Sequence, residues 1–383
     1  MNVFARIACF LLCCSVLLTG CWDIKSVSDY NFVTALGIDY KKGQYIVYTE
    51  LVDYEVAGKH NLGSEQLRPN VWVGKSEGKT VYEAMTRLYD SVQQYMYWDH
   101  IMAIVLSDSV MKQDIHRVTD AIGRFSQIRF NSWVFGTREP IDKLFKQSTF
   151  FNVSPIATLL HNPDGTNNQR TIIPPIRLLD VYSNRMEPGQ SNLIPKVNIT
   201  KNTWEDTEKP QPTLIMSGAY ALRKGRMAVR FEQNQLGGIR WSDSGMKKSF
   251  LRLHQGDQQI GMISLFNLKK KISVASEGSN PTFTMSLSYK GIVEEVLTDT
   301  TLHEILEETV KTVRKEILQT YQNGAAAGTD LYGLEQVMYR KHPKLWKQAT
   351  NGGQVPMQLT DKTLSKVDVH IDFMHAGASD LKP

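Results

Sequence analysis

The chain has 383 residues, with 44 lysines and arginines against 39 acidic residues, and four cysteines. A net charge of +5 is far below the concentrated basic surface of a nucleic-acid-binding protein, so nucleic acid is excluded as a partner. A chain of this length buries enough apolar surface to fold without disulfides, usually as two or more domains.

Residues 1–20 have the layout of a secretory signal peptide. Arg6 precedes an apolar run over residues 7–18, and small residues follow it. The run is shorter than the roughly 20 apolar residues that a transmembrane helix needs, so a plain membrane-spanning anchor is the weaker interpretation. Cys21 directly follows this 20-residue segment and completes a Leu-Thr-Gly-Cys sequence that resembles the bacterial lipobox. Cys21 is therefore expected to carry the lipid and to become the first residue of the mature protein, with a chance cysteine as the alternative.

The other cysteines support this interpretation, because Cys9, Cys13 and Cys14 all lie within the signal. The mature chain keeps only the cysteine that would be lipidated, which excludes cysteine catalysis and metal sites built from cysteine. Its net charge is +4, from 43 basic and 39 acidic residues. The two or three acyl chains of a bacterial lipoprotein would make its attachment to the membrane stable.

Hydrophobic periodicity predicts a mixed α+β region over residues 21–200. Thr80 and Glu83 form a capping box at the start of a helix expected over 80–97, and Asp108 is the expected cap of a second helix. Strands are expected at 32–39, 44–52, 101–106 and 128–136. Because residues 140–212 are rich in proline and polar side chains, they are expected to be loops apart from a short helix at 176–182.

Residues 201–212 are the best linker in the chain, and they separate the first region from a C-terminal α+β domain expected over 213–383. The clearest helix of this domain is expected at 302–321, and Asp330 is expected to cap a shorter one through Tyr339. Strands are expected at 213–222, 227–231, 259–265, 268–275, 282–296 and 367–373. The expected fold class is therefore α+β and multidomain, with mixed sheets packed against helices.

No catalytic, cofactor-binding or metal-binding motif is found. His303 and Glu304 begin like a zinc-protease motif, but residue 307 is glutamate where the second histidine is needed. Phosphate-binding loops and nucleophile elbows are also missing from the sequence. The protein is expected not to be an enzyme and to need no cofactor or metal.

Two patches could still serve binding. Residues 95–100 combine three aromatic residues with Asp99 and His100, and could line a ligand pocket, although packing of a helix end into a core is favoured. Residues 340–347 are basic and contain Trp346, which would suit lipid headgroups or an acidic partner. For this patch a solvated helix end with Leu345 and Trp346 buried is slightly favoured.

The order of several short segments resembles the Ger(x)C family of spore germination lipoproteins. These segments are residues 21–23 at the lipidation site, 35–39, 98–100, 193–195, 217–220, 238–241, 340–347 and the alternating strand at 367–373. Each segment is weak by itself, but together they cover nearly the whole mature chain. The chain departs from the family pattern over residues 348–359, which are rich in glycine and glutamine.

The resemblance implies a nutrient germinant receptor on the inner membrane of a spore. The chain would be its C subunit, held at the outer face by diacylglycerol and palmitate on Cys21 and docked on the A and B membrane subunits, so that the complex assembles and triggers germination. The family fold implies three mixed α+β domains, which leaves open a division of residues 21–200 into two subdomains. The alternative function is an anchored solute-binding protein that binds the nutrient itself, and a cell-wall enzyme is a distant third.

Overall fold

The computed structural model describes residues 3, 4, 7, 30–52, 71–113, 115–147, 149–150, 154–207, 209–223, 226–277 and 280–374. Cys21 and most of the signal peptide lie outside these ranges. Within them, no helix combines the length and the apolar character that crossing a membrane requires.

A sheet of ten strands is built from residues 30–232. Its strands are β1 Tyr30–Lys41, β2 Gln44–Val52, β3 Val71–Gly78, β4 Tyr95–Tyr97, β5 Ala103–Ser107, β6 Trp133–Thr137, β7 Ile176–Arg177, β8 Ser191–Thr200, β11 Thr213–Arg223 and β12 Arg226–Glu232. The main order is β12-β11-β8-β6-β5-β1-β2-β3, and the four central strands run parallel. The outer strands on both sides are antiparallel to their neighbours.

Helices cover both faces of this sheet. The helices in this half of the chain are α1 Val81–Arg87, α2 Asp108–Met111, α3 Ile115–Arg124, α4 Ile141–Phe145, α5 Pro163–Gln169 and α6 Leu178–Met186. Every residue of β5 is buried, as expected of a parallel strand that is covered on both faces. Ile104 packs with Val118 in one core, while Val105 packs with Phe145 in the core of the other face.

The second sheet has four strands in the order β13-β14-β15-β16, with bounds Lys248–Gln255, Gln258–Glu277, Asn280–Val296 and Leu364–Phe373. Four helices accompany it, which are α7 Ile239–Ser242, α8 Leu302–Ala326, α9 Leu334–Lys341 and α10 Pro343–Ala349. The buried face of the sheet, including Leu265 and Leu287, shares a core with Val313 and Ile317 of α8. Mixed sheets packed with helices confirm the predicted α+β class.

The helix expected over residues 80–97 ends early. Thr80 does cap it, accepting a hydrogen bond of 3.1 Å from the Glu83 amide, but α1 stops at Arg87. Residues 95–97 instead form β4, which pairs in parallel with the start of β1. The second helix is capped by Ser107 rather than Asp108, because the Ser107 hydroxyl is the group that accepts from the Val110 amide.

The expectation of loops over residues 140–212 is wrong for helices α4 and α5 and for strand β8. This strand lies between β6 and β11 although it contains Pro195, which has no amide to donate. Pro195 pairs with Ala219, and the register of β11 against β8 shifts close by, at a bulge between Met216 and Gly218.

The first sheet continues across the expected boundary at residues 201–212. The hairpin β11–β12, which the sequence assigns to the C-terminal domain, pairs with β8 and completes the first sheet. Within the expected linker, Glu205–Asp206 (β9) and Lys209–Pro210 (β10) form a small ladder of their own. The division of the chain into domains therefore stays a prediction.

In the C-terminal half, the strands expected at 259–265 and 268–275 are one long strand, β14. A bulge between Phe266 and Lys269 separates its two parts, and Asn267 there has a φ of 56°. Helix α8 continues past Tyr321 to Ala326. Asp330 does not form the cap of α9, which is Gly333, but its carboxylate accepts hydrogen bonds from the amides of Tyr332 and Glu335.

Candidate interaction surfaces

Residues 95–100 divide between core and surface. Met96 and Trp98 are buried, and the Trp98 indole donates a hydrogen bond of 2.9 Å to the Tyr89 hydroxyl. The Trp98 ring also packs edge-on against Phe125, at 5.3 Å between centroids. Tyr95, on the opposite side of the strand from Met96, is 59% exposed. Packing into the core is confirmed for Met96 and Trp98, although they belong to and follow strand β4 and not a helix end, whereas Tyr95 belongs to a surface.

The basic segment 340–347 also contains both buried and exposed residues. Trp346 is only 7% exposed, so its predicted burial is confirmed, while Lys344 and Lys347 are exposed. The Trp346 ring packs edge-on against Tyr339, at 4.8 Å, and its indole nitrogen lies 3.3 Å from a carboxylate oxygen of Glu335. Leu345 is half-buried. The tryptophan therefore fixes α10 to α9 and leaves the lysines as the solvent-facing part of the segment.

A joint between the two sheets is formed by Arg223 and Glu335. Arg223, at the end of β11, donates two hydrogen bonds of 2.8 and 3.0 Å to the Glu335 carboxylate on α9. Glu335 also accepts a bond of 3.0 Å from the amide of Met357. Both side chains of the ion pair are largely buried, at 17% and 3% exposed. Sequence patterns carried no signal of this pair, because its members are 112 residues apart.

A second contact across the joint centres on Glu187, just after α6. Its carboxylate accepts a hydrogen bond of 2.9 Å from Arg340 and one of 3.1 Å from the Gln336 side chain. The hydrogen bond from Arg340 is the main reason that the pKa of Glu187 is lowered; burial opposes the shift, and Gln336 adds to it. Segment 340–347 therefore contacts the connection between α6 and β8 through Arg340, as well as packing through Trp346.

Charged and hydroxyl side chains lie close together where the parallel strands end. Asp39 accepts hydrogen bonds from Ser107, at 2.6 Å, and from Ser109, and it pairs with Lys41 at 2.7 Å. Burial raises the pKa of Asp39, but the bonds from Lys41 and the two serines outweigh it, so the pKa is lowered overall. Because the acceptor positions of Asp39 are occupied by its own neighbours, it holds the start of α2 in place and is poorly suited to act as a base.

A buried glutamate, histidine and threonine are joined by hydrogen bonds next to the first sheet. His161 Nε2 is 2.7 Å from Glu50, and His161 Nδ1 is 2.7 Å from the Thr158 hydroxyl. In a hydrolytic triad the hydroxyl faces Nε2 and the acid faces Nδ1, so this order is reversed. The His161 side chain is fully buried, and Thr34 donates a further bond to Glu50. The group is a satisfied polar network within the core, which sequence spacing could not reveal.

An open cleft of about 460 Å³ lies between helix α8 and the segment 233–240. Arg240 makes two bonds of 2.8 Å to the Glu316 carboxylate, which also accepts from the Trp241 indole at 2.6 Å. The charged groups of the cleft therefore already satisfy one another. Across the described parts of the chain, no three histidine, cysteine or acidic side chains are grouped as a metal site would need.

Comparisons with known proteins agree in both halves of the chain. A family described as "Spore germination protein N-terminal domain" matches residues 23–199, and "Spore germination B3/ GerAC like, C-terminal" matches residues 217–373. In Bacillus subtilis (strain 168), spore germination protein KC is 22% identical over 89% of each chain. Spore germination protein B3 of the same organism is 24% identical over 94% of this chain and 95% of the relative.

One solved structure has the same fold. The crystal structure of the GerBC protein aligns with a TM-score of 0.54 and 15% identity, covering 89% of this chain and 97% of the other. At that identity the match concerns the fold alone.

Proposed function

The chain belongs to the Ger(x)C family of spore germination proteins, and we propose that it is the lipid-anchored C subunit of a spore nutrient germinant receptor. The observation that carries the proposal is the match of both family domains, in order, between residues 23 and 373. The relatives bear the names of spore germination proteins and cover most of this chain.

In this proposal the protein acts by binding other subunits. Its polar clusters, at Asp39, Glu50 and Glu316, are satisfied by neighbouring side chains, so they are poorly suited to turning over a substrate. The ion pair of Arg223 and Glu335 helps to fix the position of the first sheet relative to the second. Two surfaces that are held in fixed positions can contact two partners at once. The proposed partners are the A and B membrane subunits.

Attachment through Cys21 would keep the protein at the membrane that holds those subunits. The signal layout and the Leu-Thr-Gly-Cys sequence support lipidation at the mature amino terminus. The proposed location is the outer face of the spore inner membrane. There, a tethered subunit meets its partners at an effective concentration much higher than its concentration in solution.

The test is to delete the gene in the producing organism and to follow the optical density of its spores after adding single nutrients. We expect the response to at least one nutrient to be lost, to return with the wild-type gene, and not to return with Cys21→Ala. Normal germination with every nutrient, also after removal of sister receptors, would contradict the proposal.

Assembly needs its own measurement. An affinity tag on the A subunit should recover this protein and the B subunit from detergent-solubilised spore membranes. Recovery of A with B but without this chain would contradict the assembly role, whatever the germination result.

The alternative function is direct binding of the nutrient, and the cleft beside Arg240 and Glu316 is where it would be sought. An amino acid would have to displace the ion pair of these two residues to use either charge. We therefore expect calorimetric titration of the protein with the active nutrient to show no binding. Saturable binding that Glu316→Gln abolishes would favour the alternative.

A further inference from the structure

The end of the first sheet at which its parallel strands begin, which we call the amino edge, follows the proposed lipid anchor closely in the sequence. Cys21 precedes Tyr30, the first residue of β1, by nine residues. Because an extended chain covers at most about 3.5 Å per residue, Tyr30 is held within about 30 Å of the lipidated cysteine. We propose that this edge of the sheet rests on the lipid headgroup region of the membrane and orients the protein on it. This inference rests on the proposed lipidation of Cys21.

An aromatic patch occupies this edge. It consists of Tyr30, Phe32, Tyr95, Tyr97 and His100. The parallel pairing of β1 with β4 places Tyr30 opposite Tyr95 and Phe32 opposite Tyr97. Since paired residues of neighbouring strands share a face, the four rings lie on one side, while Met96 points into the core.

Ring contacts join the members of the aromatic patch. Tyr30 and Tyr97 meet edge-on at 4.7 Å between centroids, Tyr95 and Tyr97 lie at 4.8 Å, and Phe32 and His100 at 4.6 Å. Tyr95 is strongly exposed, and Tyr30, Phe32 and Tyr97 are half-buried. The rings therefore support one another as a rigid surface that can be buried without ordering flexible side chains, which lowers the entropic cost of binding.

Exposed apolar side chains continue along the same edge. Trp72, 70% exposed, pairs with Leu51, and Leu51 pairs with Val33 near the start of β1. On the other side, the exposed Phe130 lies in the loop before β6. Its carbonyl accepts a hydrogen bond from the amide of Leu179, which is also exposed. These residues lie at the same end of the sheet as the aromatic patch, although Trp72 faces the same side as Val33 and therefore the opposite side from the patch.

The chemistry of the edge fits a lipid interface. Tyrosine and tryptophan are enriched where a membrane meets water, because their rings are apolar and their polar groups reach the headgroups. The opposite edge of the parallel strands instead carries Asp39, Lys41 and Asp108. Arg129 forms an ion pair of 3.5 Å with Asp99 but stays largely exposed, so its guanidinium can also approach lipid phosphates. The tether favours lipid over a protein partner, because the anchor itself is in the bilayer.

The test uses the purified lipidated protein in vesicles of equal parts phosphatidylglycerol and phosphatidylethanolamine. Because the mature chain has no cysteine other than the lipidated one, Tyr95→Cys gives a single site for a polarity-sensitive fluorophore. The matched control is Trp204→Cys. Trp204 is 52% exposed and packs on Phe150, near the carboxyl end of β8. Both labelled proteins are checked for folding by circular dichroism.

We expect the probe at residue 95, and not the one at residue 204, to shift to the blue and to lose emission when the vesicles contain nitroxide-labelled lipid. Equal quenching at the two sites, or none at either, would overturn the inference. Quenching at residue 95 that needs the A and B subunits in the vesicles would replace lipid by a protein contact and also overturn it. Flotation with the vesicles tests the anchor separately: floating protein with an unquenched residue 95 refutes only this inference.

Discussion

Arg223 and Glu335 form an ion pair, with one guanidinium nitrogen bonded to both carboxylate oxygens, that joins the first sheet to the helices of the second. Both groups are largely buried, and Glu335 keeps only neutral donors, the Trp346 indole and the Met357 amide, if the guanidinium is removed. Arg223→Met should therefore lower the free energy of unfolding by about 3–5 kcal/mol, because it leaves a buried carboxylate without its cation. Urea denaturation at pH 7 measures this change.

The control for that experiment is an exposed ion pair. Lys311 pairs with Glu308 at 2.9 Å on the surface of α8. Lys311→Met should change the free energy of unfolding by less than about 1 kcal/mol, as is typical of exposed pairs. If both variants lost the same small amount, the joint of Arg223 and Glu335 would not stabilise the fold.

Trp346 is the packing residue of the basic segment, and its removal should disrupt the C-terminal helices. Its ring fills the space between Tyr339 and Gly353, where a Cβ on Gly353 would lie 2.7 Å from the ring. Trp346→Ala should lower the free energy of unfolding by about 3–5 kcal/mol, since it removes a large buried aromatic. Thermal melting compares it with Trp72→Ala, which removes an exposed tryptophan. An unchanged melting temperature for Trp346→Ala would place that ring on a functional surface instead.

Local patterns predicted the elements that depend on local forces. The Thr80 cap of α1, the long helix α8 and the alternating strand β16 all follow from periodicity and capping chemistry, although Glu83 accepts from the Lys79 amide and does not complete the expected capping box. Strand β8 could not be predicted in this way. Its proline argues against a central strand, and its pairing with β11 includes a bulge beside Gly218 that no local pattern predicts.

The candidate surfaces likewise include residues that local sequence predicts and residues that it does not. Trp346 is predicted from sequence as a buried residue, because it stands in a short apolar and basic helix. The aromatic patch is not, because it needs Tyr30 and Tyr95 to meet through parallel pairing across 65 residues of chain. The pair of Arg223 and Glu335 likewise depends on the contact between two sheets. Non-local pairing leaves no signal in a single sequence window.

The contact between Glu187 and Arg340 should depend on pH. The pKa of Glu187 is lowered from 4.5 in the folded protein, so its stabilising effect is present above 4.5 and is lost as pH falls through the folded value. Glu187→Gln should therefore lower the urea midpoint of unfolding at pH 7. The difference in midpoint between variant and wild type should disappear at lower pH. Midpoints measured from pH 7 to pH 3 give this comparison. A gap that stayed constant would show that the charge of Glu187 contributes nothing.

Gly218 allows the bulge that closes the hairpin β11–β12 onto the first sheet. Its φ is +152°, and a Cβ there would lie 2.2 Å from the carbonyl oxygen of Phe231 on the facing strand. Gly218→Ala should therefore cost at least about 2 kcal/mol, because backbone strain is combined with a clash that no side chain can relieve. Gly165→Ala is the matched control. On α5, the nearest atom to its Cβ would be 3.8 Å away, so it should be neutral or stabilising by up to about 1 kcal/mol.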